Sequence, residues 1–266
     1  MNKKDEVLTE IFKKCQQENN LIFHNDLVKD VARKVGFGNP FDATKIDNKD
    51  KLREILLEND YAVIYLGNGN HQFIKGIDKV YQDFEPIQDT LQWNYKKSIL
   101  NEYNSSESNI LSVANNQRIL HHFLFGKDTE FEDIDISKRP KTYFPHRTKT
   151  SFSYNFGSDL HLDLENIQIE IDLTIEFQGT IGVFEGKNGK PDSFAIYQIY
   201  YPFLYYHKAN QLSGIQGKIK EIFGVYVVKT IENGVTNLKI WAYTFENPLD
   251  ITSIKFVKSV CYQLNV

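Results

Sequence analysis

The 266-residue sequence predicts an α+β protein: a mixed β-sheet core flanked by helices, behind a small N-terminal unit of helices and one hairpin. Three observations predict it. Apolar residues recur at helical spacing three times before residue 60. A hairpin signal follows over 61–75. Apolar and polar residues then alternate over 167–177 and again over 238–245, the period of a strand with one buried face. The expected division is a first domain over residues 1–80 and a second over 81–266.

In the first helix Val7, Leu8, Ile11, Phe12 and Cys15 share one face. Leu27, Val28, Val31, Ala32 and Val35 repeat that spacing in the second. Asn25 or Asp26 can cap its start by accepting an orphan backbone N–H, and Gly36 can close its end in the left-handed region. The third helix runs roughly from Lys49 to Leu57. Tyr61–Leu66, the turn Gly67–Asn70 and His71–Lys75 then form a hairpin, because Asn-Gly supplies the positive φ angles of a tight turn. Helices followed by a hairpin is the order of a winged helix, which sets one helix in a DNA groove and the hairpin beside the backbone. Lys29, Arg33 and Lys34 on the second helix, with His71 and Lys75 on the hairpin, are the candidate contacts. The same order also suits a structural cap with no nucleic-acid role.

Residues 104–109 (NSSESN) read as a loop and Gln117–Phe125 as a helix. His121 and His122 are adjacent, without the i, i+4 spacing of a helical metal pair, and read as core or surface histidines. Lys138 to Lys149 (KRPKTYFPHRTK) holds five cations and no acid, with two aromatics and two prolines interleaved. Such a segment is no regular helix. It is expected either as an extended arm whose Lys138, Arg139, Lys141, Arg147 and Lys149 follow a phosphate backbone, or as a solvated linker.

The chemistry lies just beyond it. Ile167–Phe177 (IQIEIDLTIEF) puts Glu170, Asp172 and Glu176 on the polar face of one strand. After the turn at Gln178–Thr180, Ile181–Lys187 reads as a second, antiparallel strand. Glu185 and Lys187 leave the same face, and across a short turn Asp172 and Glu185 can converge beside the Lys187 ammonium. Two carboxylates suit Mg²⁺, which keeps several waters, and a metal there can lower the pKa of a bound water. Lys187 can stabilise charge building on phosphorus. The alternative is a polar sheet face with incidental ion pairs.

The run IEIDLTIEF…IGVFEGKNGKPDSFAIYQIYYPF resembles the PD-(D/E)xK nuclease superfamily, specifically type II restriction endonucleases. The resemblance rests on Glu170-Ile171-Asp172, Glu185-Gly186-Lys187, Asn188-Gly189, Asp192-Ser193-Phe194 and Gln198-Ile199-Tyr200-Tyr201-Pro202, and covers roughly residues 145–206. Gly186 replaces the family's usual Ala, and Ile171 its usual Pro. The resemblance implies a restriction-endonuclease-like core, with Asp172 and Glu185 as Mg²⁺ ligands and Lys187 assisting the water. It also implies catalytic support from Glu170, by a second metal or by shaping the first, and from Gln198 on a following helix. Asn188 would cap that helix region or touch phosphate. Tyr200, Tyr201 and Phe203 read as core packing.

The remaining strands are expected at 224–229, 238–245 and 253–264, with Lys218 and Lys220 as further phosphate contacts or solvated charges. A formal charge of −4 excludes a protein that merely coats nucleic acid, so any DNA site is a local patch. Cys15 and Cys261 lack metal spacing and suit a reducing cytoplasm. The first ten residues carry no apolar signal region, and the aromatic run 194–206 is too short to span a bilayer. The resulting expectation is a cytoplasmic, homodimeric enzyme that cuts double-stranded DNA at specific sites, with a DNA methyltransferase as genetic partner and no membrane association. The competing expectations are a non-catalytic DNA-binding regulator on a nuclease-like fold and a superfamily nuclease without sequence specificity.

Overall fold

The computed structural model describes residues 3–94, 99, 106–126 and 135–265. Helix α1 (Lys3–Gln17) buries Val7, Leu8, Ile11, Phe12 and Cys15, the face its spacing predicts. A short strand, β1 (Ile22–His24), precedes α2 (Asn25–Val35). The cap of α2 is neither Asn25 nor Asp26. His24 takes that place, its Nδ1 accepting the Asp26 N–H, while Gly36 closes the helix at φ 71° as expected. After α3 (Pro40–Ala43), the helix expected over 49–57 divides. Asn48 caps a 3₁₀ turn at Lys49–Lys51, Leu52 is extended (ψ 147°) and buried, and α4 (Glu54–Asn59) begins afresh.

Strands β2 (Tyr61–Gly67) and β3 (Asn70–Lys75) form the expected antiparallel hairpin, and β1 adds to β3. The chain continues through α5 (Ile77–Val80), β4 (Tyr81–Asp83) and β5 (Asp89–Asn94). Ser106 caps α6 (Glu107–Asn116), so residues 107–109 are helical rather than loop; 104 and 105 lie outside the described residues. Arg118 (φ 63°) separates α6 from α7 (Ile119–Phe125), shortening the helix expected from Gln117. The basic segment is neither a free arm nor a linker. Its residues form β6 (Lys141–Tyr143) and the start of β7 (His146–Asn155), because both find ladder partners.

The strand expected over 167–177 is two strands, β8 (His161–Ile171) and β9 (Leu173–Phe177), with Asp172 between them. After β10 (Thr180–Asn188) and β11 (Ser193–Ala195) come α8 (Tyr197–Ala209), β12 (Glu221–Glu232), β13 (Val235–Phe245) and β14 (Ile254–Asn265). Ser193–Ala195 pairs with β4 and leads directly into α8.

The fold is α+β with mixed sheets. One sheet runs β1-β3-β2-β8-β7, a second β5-β14-β13-β12-β10-β9-β6, and β11 with β4 makes a two-stranded third. In the second, β10 runs parallel to β12 and antiparallel to β9. Alternation along β12 sends Val225 and Val227 into the core with Ile110, Leu120 and Phe123 of α6 and α7. Tyr226 and Val228 point the other way, into the core with Ile199 and Phe203 of α8. That second core continues into Phe12, Phe73 and Val63, so packing is continuous across residue 80. The hairpin meets β8 at one parallel bridge, Gly67 to Glu165; a Cβ on Gly67 (φ 94°) would fall on the Glu165 carbonyl. Among the described residues, no helix is long and apolar enough to cross a membrane.

Candidate active site

Asp172 stands where the chain leaves one sheet for the other. Ile171 pairs with His146 of β7, and Leu173 pairs with Phe184 of β10. One step beyond that last pair, Asp172 faces Glu185, and the Gly186 N–H donates to Asp172 Oδ2 at 3.4 Å. Lys187 Nζ lies 3.0 Å from Glu185 Oε1, with the two side chains 24% and 15% exposed. Gln198, in the first turn of α8, donates from Nε2 to the same Glu185 oxygen at 3.1 Å. Tyr226 Oη donates to Gln198 Oε1 at 3.2 Å, which fixes the amide so that its N–H₂ end meets the carboxylate.

These residues line a cleft of about 630 Å³ together with Glu170. Glu170 is paired with Arg147 across the β7–β8 ladder at 2.8 Å, and hydrogen bonding to that carboxylate raises the Arg147 pKa. Among the described residues no group of three or more His, Cys, Asp or Glu gathers as a metal cage. The third carboxylate of the strand, Glu176, accepts the Gly179 N–H at the far turn and does not line the cleft.

The other sequence-derived residues scatter. Lys149 is exposed on the strand that carries Arg147, and Lys138 is exposed before it. Lys141 Nζ ties down the preceding turn through the Ile136 and Arg139 carbonyls, both at 2.9 Å. Tyr143 and Phe144 stand out between these cations, 52% and 78% exposed. Asn188 is exposed at the end of β10 and does not cap α8, which starts after Ile196 without a side-chain cap. Lys218 and Lys220 flank the Gln178–Gly179 turn, at the opposite end of β10 from Glu185, on the order of 15 Å away at ~3.3 Å per residue.

On α2, Lys29 pairs with Asp26 at 3.1 Å and Arg33 with Asp30 at 3.3 Å, while Lys34 is exposed. Lys75 is exposed as expected, but His71 is not a surface contact. It is 5% exposed, stacked on Phe23 with ring centroids 5.2 Å apart, and burial lowers its pKa to about 4. His121 is buried in the core, and His122, half-buried, bonds Tyr262 at its Oη over 2.8 Å. Tyr200 and Phe203 are core residues; Tyr201 also reaches the cleft.

Tyr226, which holds Gln198, and the cleft residues Tyr197, Asn25, Phe41, Asp47 and Tyr65 were not read as site residues from the sequence. All but Tyr226 and Tyr197 come from the N-terminal unit, and no local motif marks them. Tyr197 is half-buried; desolvation, with the Asp47 charge adding, raises its pKa well above the ordinary value.

The fold and the cleft define an α+β protein with two carboxylates, a lysine and a glutamine gathered where two sheets meet. The chain belongs to the family described as Domain of unknown function (DUF6997), whose model matches residues 76–263. Residues 5–73 match a second family, described as Domain of unknown function (DUF6996). No curated protein and no solved structure matches the chain.

Proposed function

We propose that this chain is a Mg²⁺-dependent type II restriction endonuclease of the PD-(D/E)xK superfamily. It hydrolyses phosphodiesters of double-stranded DNA at a specific sequence and leaves 5′-phosphate ends. The second sheet and its helices are read as a restriction-endonuclease-like core, and the N-terminal unit as winged-helix-like. The observation that carries this reading is the convergence of Asp172, Glu185 and Lys187 in one open cleft, with Gln198 donating to Glu185.

The donor set fits Mg²⁺: two hard carboxylates, one at the joint of β8 and β9 and one on β10, in a cleft with room for the waters this ion keeps. Asp172 and Glu185 would hold it. When bound, the ion offsets phosphate charge and makes a bound water more acidic. The chain's own residues do the rest. Lys187 places a cation where negative charge grows on the phosphoryl oxygens. Gln198 is a positioning residue that holds the Glu185 carboxylate in one orientation, and Tyr226 holds Gln198. Arg147 and Lys149, on the strand that pairs with β8 up to Ile171, are the cations that would follow the backbone of a bound duplex. One such site cuts one strand, so a double-strand break at a short site is made most simply by a homodimer on a near-palindromic sequence. The reading places the enzyme in the cytoplasm, with a DNA methyltransferase encoded nearby to protect host DNA.

The test is digestion of a mixed-sequence plasmid by the purified chain. Discrete bands in Mg²⁺ and none in EDTA are expected, with Ca²⁺ supporting binding but not efficient cleavage. Asp172→Ala, Glu185→Ala and Lys187→Ala should each lose at least about 10²-fold in rate, the scale of removing one charge-stabilising group, with unchanged thermal unfolding. Substantial cleavage by Lys187→Ala sinks the assignment. A smear in place of bands identifies a nuclease without sequence specificity, and binding without cleavage identifies a regulator.

A further inference from the structure

The N-terminal unit supplies one wall of the cleft, with Asn25, Phe41, Asp47 and Tyr65 among its residues. Asp47 differs from the others, because its segment also grips the chain that enters α8. Residues 46–49 run along β11. The Ala195 N–H donates to the Asp47 carbonyl at 2.8 Å. The Lys49 N–H donates to Ser193 Oγ at 2.9 Å, and Ser193 is buried. The Tyr197 hydroxyl donates to Asp47 Oδ1 at 3.5 Å. Along its other edge β11 pairs with β4, and the Ile196 N–H donates to the Val80 carbonyl at 2.9 Å. The segment is fastened to β4 as well. Tyr81 Oη donates to the Ile46 carbonyl at 3.3 Å, and Lys49 Nζ donates to Asp83 at 2.9 Å.

This matters for the site because α8 has no side-chain cap of its own. Its first turn is placed by the strand that leads into it and by what holds that strand. Gln198 stands in that turn, next to Tyr197, and donates to Glu185. Tyr197 lies within the influence of both carboxylates: the charges of Asp47 and Glu185 each favour its protonated form, the form that donates. A chain of contacts therefore runs from the N-terminal unit through the Tyr197 hydroxyl to the turn whose amide orients Glu185.

We infer that Asp47 is a positioning residue for the metal site: through Tyr197 and β11 it holds the first turn of α8, so that Gln198 meets Glu185 in the orientation that ligates Mg²⁺. The inference rests on the reading of Asp172 and Glu185 as metal ligands. A carboxylate fixed before the ion arrives binds it more tightly than one still free to turn. The N-terminal unit then takes part in the chemistry without touching DNA. Asp47 also adds a negative charge to the cleft, which would attract a cation whatever the position of α8. The experiment has to separate these two effects.

The probe is Mn²⁺, which takes the same oxygen ligands as Mg²⁺. It is titrated into the DNA-free chain, with the free ion counted by electron paramagnetic resonance. Asp172→Ala should abolish the binding, which fixes its place. Losing a residue that orients a metal-ligating side chain typically costs about 10- to 100-fold in affinity, so Gln198→Ala should fall in that range and Tyr197→Phe, one contact further out, should cost at least ~3-fold. In a Gln198→Ala background Tyr197→Phe should cost nothing more, since it acts through that amide. Asp47→Ala and Asp47→Asn lose the same charge, but only the amide keeps an acceptor for the Tyr197 hydroxyl, so Asp47→Asn should bind Mn²⁺ more tightly than Asp47→Ala by a factor like that of Tyr197→Phe. Tyr197→Phe removes a single oxygen and keeps the test decisive if Asp47→Ala does not fold. A folded Tyr197→Phe with wild-type Mn²⁺ affinity overturns the inference, as does a loss of equal size with and without Gln198. Equal affinity in the two Asp47 variants reduces Asp47 to its charge and overturns it too. So does Mn²⁺ binding that survives Asp172→Ala, or a wild type that binds no Mn²⁺. Failure of the nuclease reading looks different: Mn²⁺ binds and the variants rank as stated, while the wild type cuts no DNA.

Discussion

Gly224 sits in β12 directly beneath Ile199 of α8. A Cβ added there would lie 2.7 Å from Ile199 Cβ and 3.0 Å from its Cδ1. Carbon atoms in contact settle at about 3.5–4.0 Å, so Gly224→Ala demands a separation of roughly 1 Å. The atom it meets is the root of the side chain, fixed to the helix backbone, so α8 itself has to lift. Overpacking of this kind costs about 1–3 kcal/mol. The displacement also reaches the site, because Gln198 precedes Ile199. Its hydrogen bonds to Glu185 and Tyr226, 3.1 and 3.2 Å long, would stretch out of range. Misplacement by about 1 Å can cost on the order of 10²-fold in rate. Gly182→Ala is the internal control on the opposite face of the sheet. There the closest atom, at 2.6 Å, is Leu124 Cδ1, the far end of a flexible side chain, so no helix needs to move. Urea unfolding followed by circular dichroism, and initial cleavage rates at saturating enzyme, check both. Gly224→Ala should lose more stability and far more activity than Gly182→Ala. Adding Ile199→Ala to Gly224→Ala should return part of the rate by relieving the overlap. A Gly224→Ala protein with wild-type stability and rate would refute the argument that this contact sets the height of α8.

Two further outcomes follow from the charges. His71 and His121 are held neutral by burial, each with its pKa lowered from 6.5 to about 4. Between those values the unfolded chain takes up protons that the native state refuses, so stability falls as pH drops from 6.5 toward 4, by roughly 3 kcal/mol per histidine at the bottom of the window. Urea midpoints at pH 7.5 and pH 5 read this directly, and a midpoint that is flat across the window contradicts it. Neutralising Lys29, Arg33 and Lys34 together should shallow the salt dependence of DNA binding. The change should fall short of the ~2.7 log units per log salt that three unencumbered phosphate contacts give, since Asp26 and Asp30 already engage two of the cations. An unchanged slope removes α2 from the interface and leaves the N-terminal unit as a cap on that side.

How much of this was legible depends on how local its cause is. The apolar faces of α1 and α2 were legible because helical spacing and burial are the same information. The cap of α2 was not: Asn25 spends its carbonyl oxygen on His71, 46 residues away, and His24 takes the capping role. The meeting of Asp172 with Glu185 and Lys187 was legible because one short antiparallel turn separates the two strands. The break at Asp172 was not, because a period of two continues unchanged from Ile171 to Leu173 whichever sheet each residue joins. Nor was the N-terminal wall, which depends on contacts such as Asn68 Nδ2 to Glu165 Oε2 at 3.1 Å, 97 residues apart. These two omissions have one structural origin. β8 is held by the hairpin on one side and leads through Asp172 into β9 on the other, so the residue proposed as a metal ligand is also the joint between the sheet carrying His71 and the sheet carrying Glu185. A ligand seated against Asp172 is therefore presented to both walls by a single continuous stretch of chain. Separating the N-terminal unit from the rest would remove more than added grip: it would expose the face of Ile167 and Ile169, both now buried, and free the strand that positions Asp172.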